Sequence, residues 1–208
     1  MPRSCNNIRK SNGWMMRDAI MRKCRESIEV KQKFFDRYAD QIGELAVKMA
    51  ARFQEDHRLW VMGNGGSACD AQHVAVEFVH PIIEKRPALP ALDLVSQVPL
   101  LTAISNDKDF ARVFVDQIDL LGRPGDMALA ISTSGQSPNL IYALQAARKK
   151  GMLAIAFAGK DGGRIAEAAE YCFTVPSFSI HRIQECQVAL LHILWDTIHI
   201  AMGQEDVI

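Results

Sequence analysis

Between residues 16 and 55 apolar side chains recur at helical spacing, with Ile20, Cys24, Ile28, Phe35, Tyr38, Ile42, Leu45, Met49 and Phe53 along one stripe. The stretch exceeds an ordinary helix of 8–20 residues, and Gly43 is where it would divide in two. Beyond it the pattern changes. Short apolar runs at 59–63, 88–94, 126–132, 152–158 and 171–176 alternate with helical segments at 67–79, 107–121, 137–150, 162–169 and 180–202. Such alternation predicts a parallel sheet covered on both faces. With right-handed crossovers the result is a three-layer, doubly wound α/β fold: a five-stranded parallel sheet preceded by a long N-terminal helical segment. Ligands bind beyond the carboxyl ends of such strands, so the loops that follow them hold the candidate chemistry. The apolar stripe ahead of the first strand is longer than one face of a small sheet can cover, which predicts packing against another subunit. No boundary or repeat interrupts residues 16–208, read as a single domain. Residues 1–15 are polar, lack the apolar run of a secretory leader, and are expected to form a flexible tail.

Composition narrows the partners. With 208 residues and 49% hydrophobic content the chain can build a core. Lys and Arg number 24 and Asp and Glu number 24, so no global basic field exists to hold a nucleic acid or an anionic membrane. No apolar run approaches the ~20 residues of a membrane span. Five scattered cysteines (Cys5, Cys24, Cys69, Cys172, Cys186) form no C-x-x-C pair, which predicts a reducing, cytoplasmic setting and mostly a core-filling role. Any anionic ligand must therefore be held locally.

Two loops can do so. Gly63-Asn64-Gly65-Gly66-Ser67 follows the first strand and opens into a helix, where glycine amides and the helix N-terminus can approach an anion. Read as Gly63-x-Gly65-x-x-Ala68, it also satisfies a dinucleotide fingerprint, with Asp93 as the ribose ligand. The third strand feeds Ser132-Thr133-Ser134-Gly135-Gln136-Ser137, four hydroxyls at another helix start without Lys or Arg, a cradle suited to a phosphate monoester. Ser137 before Pro138 also reads as a helix cap, which leaves the other three hydroxyls unexplained.

On the helix leaving the glycine loop, His73 and Glu77 are four residues apart and share a face, so they can hold a metal ion, divide a proton-transfer task, or form an ordinary ion pair. His192 stands among apolar residues of the last helix, where core packing is the commoner role. Gln184 lies eight residues earlier, ~12 Å along the axis and ~80° out of phase. The two can meet one ion only by reaching toward each other, or else one group of the four comes from a neighbouring subunit. His57 and His199 read as surface or helix-end residues, whereas His80 and His181 lie beside the candidate site.

Together Gly63–Ser67, Cys69-Asp70-Ala71-Gln72-His73, Glu77, Ser105-Asn106-Asp107, Ile131–Gly135, Gly159-Lys160-Asp161-Gly162-Gly163, and Arg182-Ile183-Gln184-Glu185 with His192 resemble the sugar isomerase (SIS) domain family, and within it the phosphoheptose isomerases. The resemblance covers the chain from the N-terminal helical stretch to about Met202. It implies a homotetramer with active sites between subunits, working on a sugar phosphate: a ketose–aldose isomerase converting sedoheptulose 7-phosphate to D-glycero-D-manno-heptose 7-phosphate through an enediol. It implies substrate contacts at Asn64, Gly65, Gly66, Glu77, Asn106, Asp107, Ser132, Thr133, Ser134, Ser137 and Gln184. It further implies one Zn2+ per subunit on His73, Glu77, Gln184 and His192, with Glu77 and His192 as the acid/base pair.

The chain departs from the family pattern in three places. His80-Pro81-Ile82 replaces a Gly-Arg-aromatic turn, which leaves Arg86 to compensate for the missing arginine; Ala68 replaces a frequent histidine; His181 stands in an aspartate region. Two rival readings follow: a non-catalytic SIS protein serving as an oligomeric interaction platform, of the kind that binds a replication initiator, and an oxidoreductase using the dinucleotide fingerprint. Relatives of the first kind lack the acidic residue at Glu77 and the histidine at His192; the second leaves the Ser132–Ser137 loop without a task.

Overall fold

The computed structural model describes residues 5–82 and 86–206, with side chains from residue 15 onward. Five parallel strands, β1 (Leu59–Gly63), β2 (Ala91–Asp93), β3 (Met127–Ser132), β4 (Leu153–Gly159) and β5 (Tyr171–Val175), lie in the order β2-β1-β3-β4-β5. All residues of β1, β3 and β4 are buried, as a sheet covered on both faces requires. Helices α1 (Cys5–Gln54), α2 (Gly66–Val79) and α7 (Ile180–Ala201) pack on one face; α4 (Val115–Leu121), α5 (Pro138–Lys149) and α6 (Ile165–Ala168) cover the other. The strand order reverses between β1 and β3, which opens a crevice there at the carboxyl edge. Both loops singled out by sequence flank that crevice.

Helix α1 differs from expectation at both ends of its pattern. It runs unbroken through Gly43, where an added Cβ would meet nothing within 4 Å, and it begins at Cys5, inside the segment expected to be a tail. No proline stands between Pro2 and Pro81, and elongation adds one hydrogen bond per residue, so an established helix propagates through weak formers. Residues 1–4 of the expected tail lie outside the described residues. The C-terminal half of α1 buries Phe34, Tyr38, Ile42, Leu45, Met49 and Phe53, while Met15, Met16, Ile20 and Ile28 are each at least 60% exposed. The excess of apolar surface read from sequence is therefore concentrated in the first half of the helix, with Val47 the large apolar residue exposed in the second.

The segment before β3 is also divided differently. A helix α3 (Val98–Asp107) stands where none was expected, followed by a 3₁₀ turn at Phe110–Arg112 and then α4, in place of one helix over 107–121. Pro99 reads as a breaker but falls in the first turn of α3, where no N–H is required; none of the helix's residues is fully buried, and only Leu101 and Ile104 rest partly buried on the core, too short a stripe to announce it. Asp109 starts the 3₁₀ turn by accepting from the Ala111 N–H at 2.6 Å.

The cysteines do not mostly fill the core. Cys5 lies outside the described side chains; among those described, Cys24 and Cys69 are exposed, Cys172 is half-buried and only Cys186 is buried, its thiol pushed up to about 12 by that burial. Among the described residues no helix is long and apolar enough to cross a membrane.

Candidate functional site

The crevice is built from two loops and two helices. In the loop after β3, the Ser132 hydroxyl accepts from the Gly135 N–H at 3.0 Å and the Ser134 hydroxyl from the Gln136 N–H at 3.2 Å. A hydroxyl used as an acceptor still has its own proton to donate, so these bonds shape the loop without exhausting it. Ser132 is buried; Thr133, Ser134 and Ser137 are half-exposed. Ser137 occupies the N-cap position of α5, yet its side chain makes no capping bond, so capping does not explain this hydroxyl.

The Gly159–Gly163 motif, unassigned by sequence, supports this loop from the next strand. Gly135 has φ +65° and its α-carbon lies so close to the Gly162 carbonyl that no side chain fits, while its own carbonyl accepts from the Ile165 N–H at 2.9 Å.

Across the crevice Asn64 and Asn139 form a reciprocal amide pair: Asn64 Nδ2 donates to Asn139 Oδ1 at 3.0 Å, and Asn139 Nδ2 donates to Asn64 Oδ1 at 2.9 Å. Asn139 also accepts from the Leu140 N–H at 3.0 Å and is 2% exposed. Sequence reasoning missed Asn139 because its partner is 75 residues away. The only local sign was an amide two residues into a helix that follows a ligand-type loop.

Helices α2 and α7 run in the same direction side by side. The Gln184 amide lies against Gly66, filling the space a Cβ would need, and seven residues further along α2 His73 meets His192. His73 Nε2 lies 3.2 Å from Glu77 Oε1 and 3.4 Å from His192 Nε2, with the two imidazole rings edge to face. One ligand atom from each of the three residues falls within 4.8 Å of the others. His192 is exposed at the surface of α7, which removes the reading of a core histidine. Gln184 stays about two turns, ~12 Å along the axis, from His192 of this trio within one chain. Asn106 and Asp107 end α3, exposed, the Asn106 amide donating to the Asp107 carboxylate at 2.9 Å. Among the described residues neither His80 nor His181 joins the trio, and both are exposed.

Two nitrogens held by one tetrahedral Zn2+ with bonds of ~2.0–2.1 Å would lie ~3.3 Å apart, so the His73–His192 separation fits such an ion, and the Glu77 carboxylate supplies a third ligand of suitable chemistry. On the same face of α2, Asp70 carries a buried Oδ2 with no hydrogen-bond partner among the described residues. Burial pushes its carboxyl above the usual range, against a smaller downward pull from His73.

Several expectations are corrected by direct contacts. Asp93 is spent on a turn, its Oδ1 accepting from the N–H groups of Val95 (3.0 Å) and Ser96 (2.7 Å), which gives it a structural task in place of the ribose contact of a dinucleotide site. Arg86 does not reach toward a substrate. It is buried against Asp196, lies 4.7 Å over the Trp195 ring and donates to the Glu205 carbonyl at 3.2 Å. His199 is fully buried, its ring nitrogens facing the carbonyls of Trp195 and Pro87. Arg182 and Glu185 pair at 3.0 Å and clamp α7 to α1 through the Lys23 carbonyl and the Ser27 hydroxyl, which fixes the turn that carries Gln184.

Comparison with known proteins agrees with this geometry. The SIS domain family model matches residues 24–159. The phosphoheptose isomerase of Aquifex aeolicus is 42% identical over 183 residues, covering 88% of this chain and 96% of that protein. The phosphoheptose isomerase of Desulfovibrio desulfuricans is 44% identical over 177 residues, covering 85% and 84%. Among solved structures, the phosphoheptose isomerase of Neisseria gonorrhoeae superposes with a TM-score of 0.82 at 36% identity, over 88% of this chain and 98% of that one. Family model, relatives and fold agree over most of the chain: it belongs to the SIS domain family and, within it, to the phosphoheptose isomerases.

Proposed function

We propose that this phosphosugar isomerase interconverts sedoheptulose 7-phosphate and D-glycero-D-manno-heptose 7-phosphate through an enediol. The observation that carries the reading is the meeting of His73 and Glu77, on the helix that leaves the glycine loop, with His192 of α7, at 3.2 and 3.4 Å. Hydroxyls of Ser132, Thr133, Ser134 and Ser137 and the first-turn N–H groups of α5 hold the phosphate, while Asn64, Gly65 and Gly66 hold the sugar end. One of Glu77 and His192 removes a proton from C1 as the C2 carbonyl oxygen gains one, which gives the enediol. The second transfer removes the O1 proton and delivers a proton to C2, leaving the aldehyde at C1. Glu77 and Gln184 also contact substrate.

The residues that would hold a Zn2+ ion are His73, Glu77 and His192, with Gln184 as the fourth. When bound, the ion supplies Lewis-acid polarisation of the substrate carbonyl. Because Gln184, Asn106 and Asp107 lie apart from the trio within one chain, the reading includes a homotetramer whose sites are completed between subunits. The exposed apolar residues Met15, Met16, Ile20 and Ile28 of α1 support such an assembly. The four described cysteines are free thiols, in keeping with work in the cytoplasm.

The test is turnover of sedoheptulose 7-phosphate with Zn2+ supplied, beside Glu77→Gln and His192→Ala. Each variant is expected to lose about 100- to 10,000-fold in kcat. Wild-type rates in both would overturn the acid/base assignment, and no product from the wild-type chain would overturn the heptose assignment.

A further inference from the structure

Among the described residues, the amide pair between Asn64 and Asn139 has no counterpart in the crevice. An asparagine amide offers two N–H donors and a carbonyl with two lone pairs. In the pair each amide spends one N–H and one lone pair on the other, and Asn139 spends its second lone pair on the Leu140 N–H. Asn139 is buried at 2% exposure, on the second residue of α5. Asn64 is half-buried and keeps one N–H and one lone pair free of the pair. The bonds also settle which end of each amide is nitrogen. Asn139 Oδ1 is committed to the α5 main chain, so its Nδ2 must face Asn64 Oδ1, and the Asn64 amide is turned one way only.

From this geometry we propose that Asn139 is a positioning residue. It clasps the glycine loop after β1 to the helix that begins at the hydroxyl loop after β3, and it sets the orientation in which Asn64 presents its remaining N–H and lone pair to the sugar. The inference rests on the reading of Asn64 as a substrate contact. The two strands that carry these loops are hydrogen-bonded neighbours, but the loops diverge to opposite faces of the sheet, so the strand ladder does not fix one loop against the other. The clasp does. Asn139 acts through Asn64 and touches no reacting atom.

Two substitutions separate this role from simple support of the fold. Asn139→Asp keeps the acceptor for the Leu140 N–H, and a carboxylate in the first turn of α5 suits the helix N-terminus, so the fold is retained. It removes the one donor that faces Asn64 Oδ1 and sets an acceptor against an acceptor. Asn139→Ala removes the whole amide. Both variants, in the wild-type and the Asn64→Ala backgrounds, are assayed for kcat and KM with sedoheptulose 7-phosphate and for their urea midpoints. Asn139→Asp is expected to lower kcat/KM about tenfold, mainly through kcat and by more than the accompanying shift of its urea midpoint accounts for, and Asn139→Ala is expected to cost no further activity once Asn64 is alanine. Equal losses in both backgrounds, or full activity in Asn139→Asp, would overturn the proposal. If the wild-type chain turns over no sugar phosphate, the function reading fails and the urea cycle alone decides the clasp. Coupled losses from Asn64→Ala and Asn139→Ala then carry it, and additive losses overturn it.

Discussion

The two edges of the sheet use polar groups in opposite ways. At the amino edge the Asp126 carboxylate is 3% exposed and accepts from the Arg58 N–H (2.9 Å), the Trp60 indole N–H (2.9 Å) and the Arg123 N–H (3.1 Å), while Arg52 donates to the neighbouring Gly125 carbonyl. Three donors meet one buried anion, and the network closes on itself. At the carboxyl edge, the Ser137 hydroxyl leaves its helix uncapped, the His73, Glu77 and His192 side chains face one another at the surface, and Asp70 Oδ2 is buried with no partner. The closed set is an element of stability. The open set holds polar groups in reserve for a ligand, which is where a sheet of this order binds one.

The contrast makes opposite predictions for substitutions at the two edges. The largest effect is expected from Asp126→Ala, which strands three donors in the core and should cost about 3 kcal/mol in urea-unfolding experiments, with kcat per folded molecule unchanged. Ser137→Ala is the converse. It should raise KM for the sugar phosphate about tenfold and move the urea midpoint little, because the hydroxyl caps nothing; a drop in stability with unchanged KM would return Ser137 to a capping role.

Asp70 is predicted to behave against the usual rule for carboxylates. Its folded-state pKa is raised, chiefly by burial, so its contribution to stability is present below the ordinary carboxylate range and lost as pH rises through the folded value. Asp70→Asn should therefore stabilise the chain by about 1 kcal/mol at neutral pH, with the gain shrinking as pH falls through the raised folded value and gone by roughly pH 4. Asp116, on the covering helix α4, has the ordinary sign. Burial pushes its carboxyl up, but hydrogen bonds from Lys108 and Arg112 outweigh this and hold it below the usual range. The small stability it adds is present above its unfolded value and lost as pH falls through the folded one. Asp116→Asn should lower the neutral-pH melting temperature by a degree or two and shift acid unfolding little, since its partners Lys108 and Arg112 are about half solvated.

What sequence revealed and what it concealed follow from the range of the interactions. The five strands were legible because each is a short apolar run bounded by polar loops, and His73 with Glu77 was legible because a separation of four is a local property of a helix. The two ligand loops were legible from glycine and serine content next to helix starts. The role of His192 was not, since it depends on α2 and α7 lying side by side in one direction, a tertiary fact that no spacing encodes. Asn139 and Arg86 were missed or misplaced for the same reason, their partners being 75 and 110 residues away. Helix α3 was invisible because only Leu101 and Ile104 rest on the core, partly buried, and a single such pair is too short a stripe to read as a helix beside Pro99.

The most direct test of an enediol route at the carboxyl edge is the fate of one carbon-bound proton. Sedoheptulose 7-phosphate is incubated in D2O with the wild-type chain and Zn2+, and the aldose product is followed by NMR. An enediol route yields a heptose 7-phosphate carrying solvent deuterium at C2, with the signal abolished in Glu77→Gln and His192→Ala. Product formed with no solvent hydrogen at C2, or formed equally well by both variants, would contradict it.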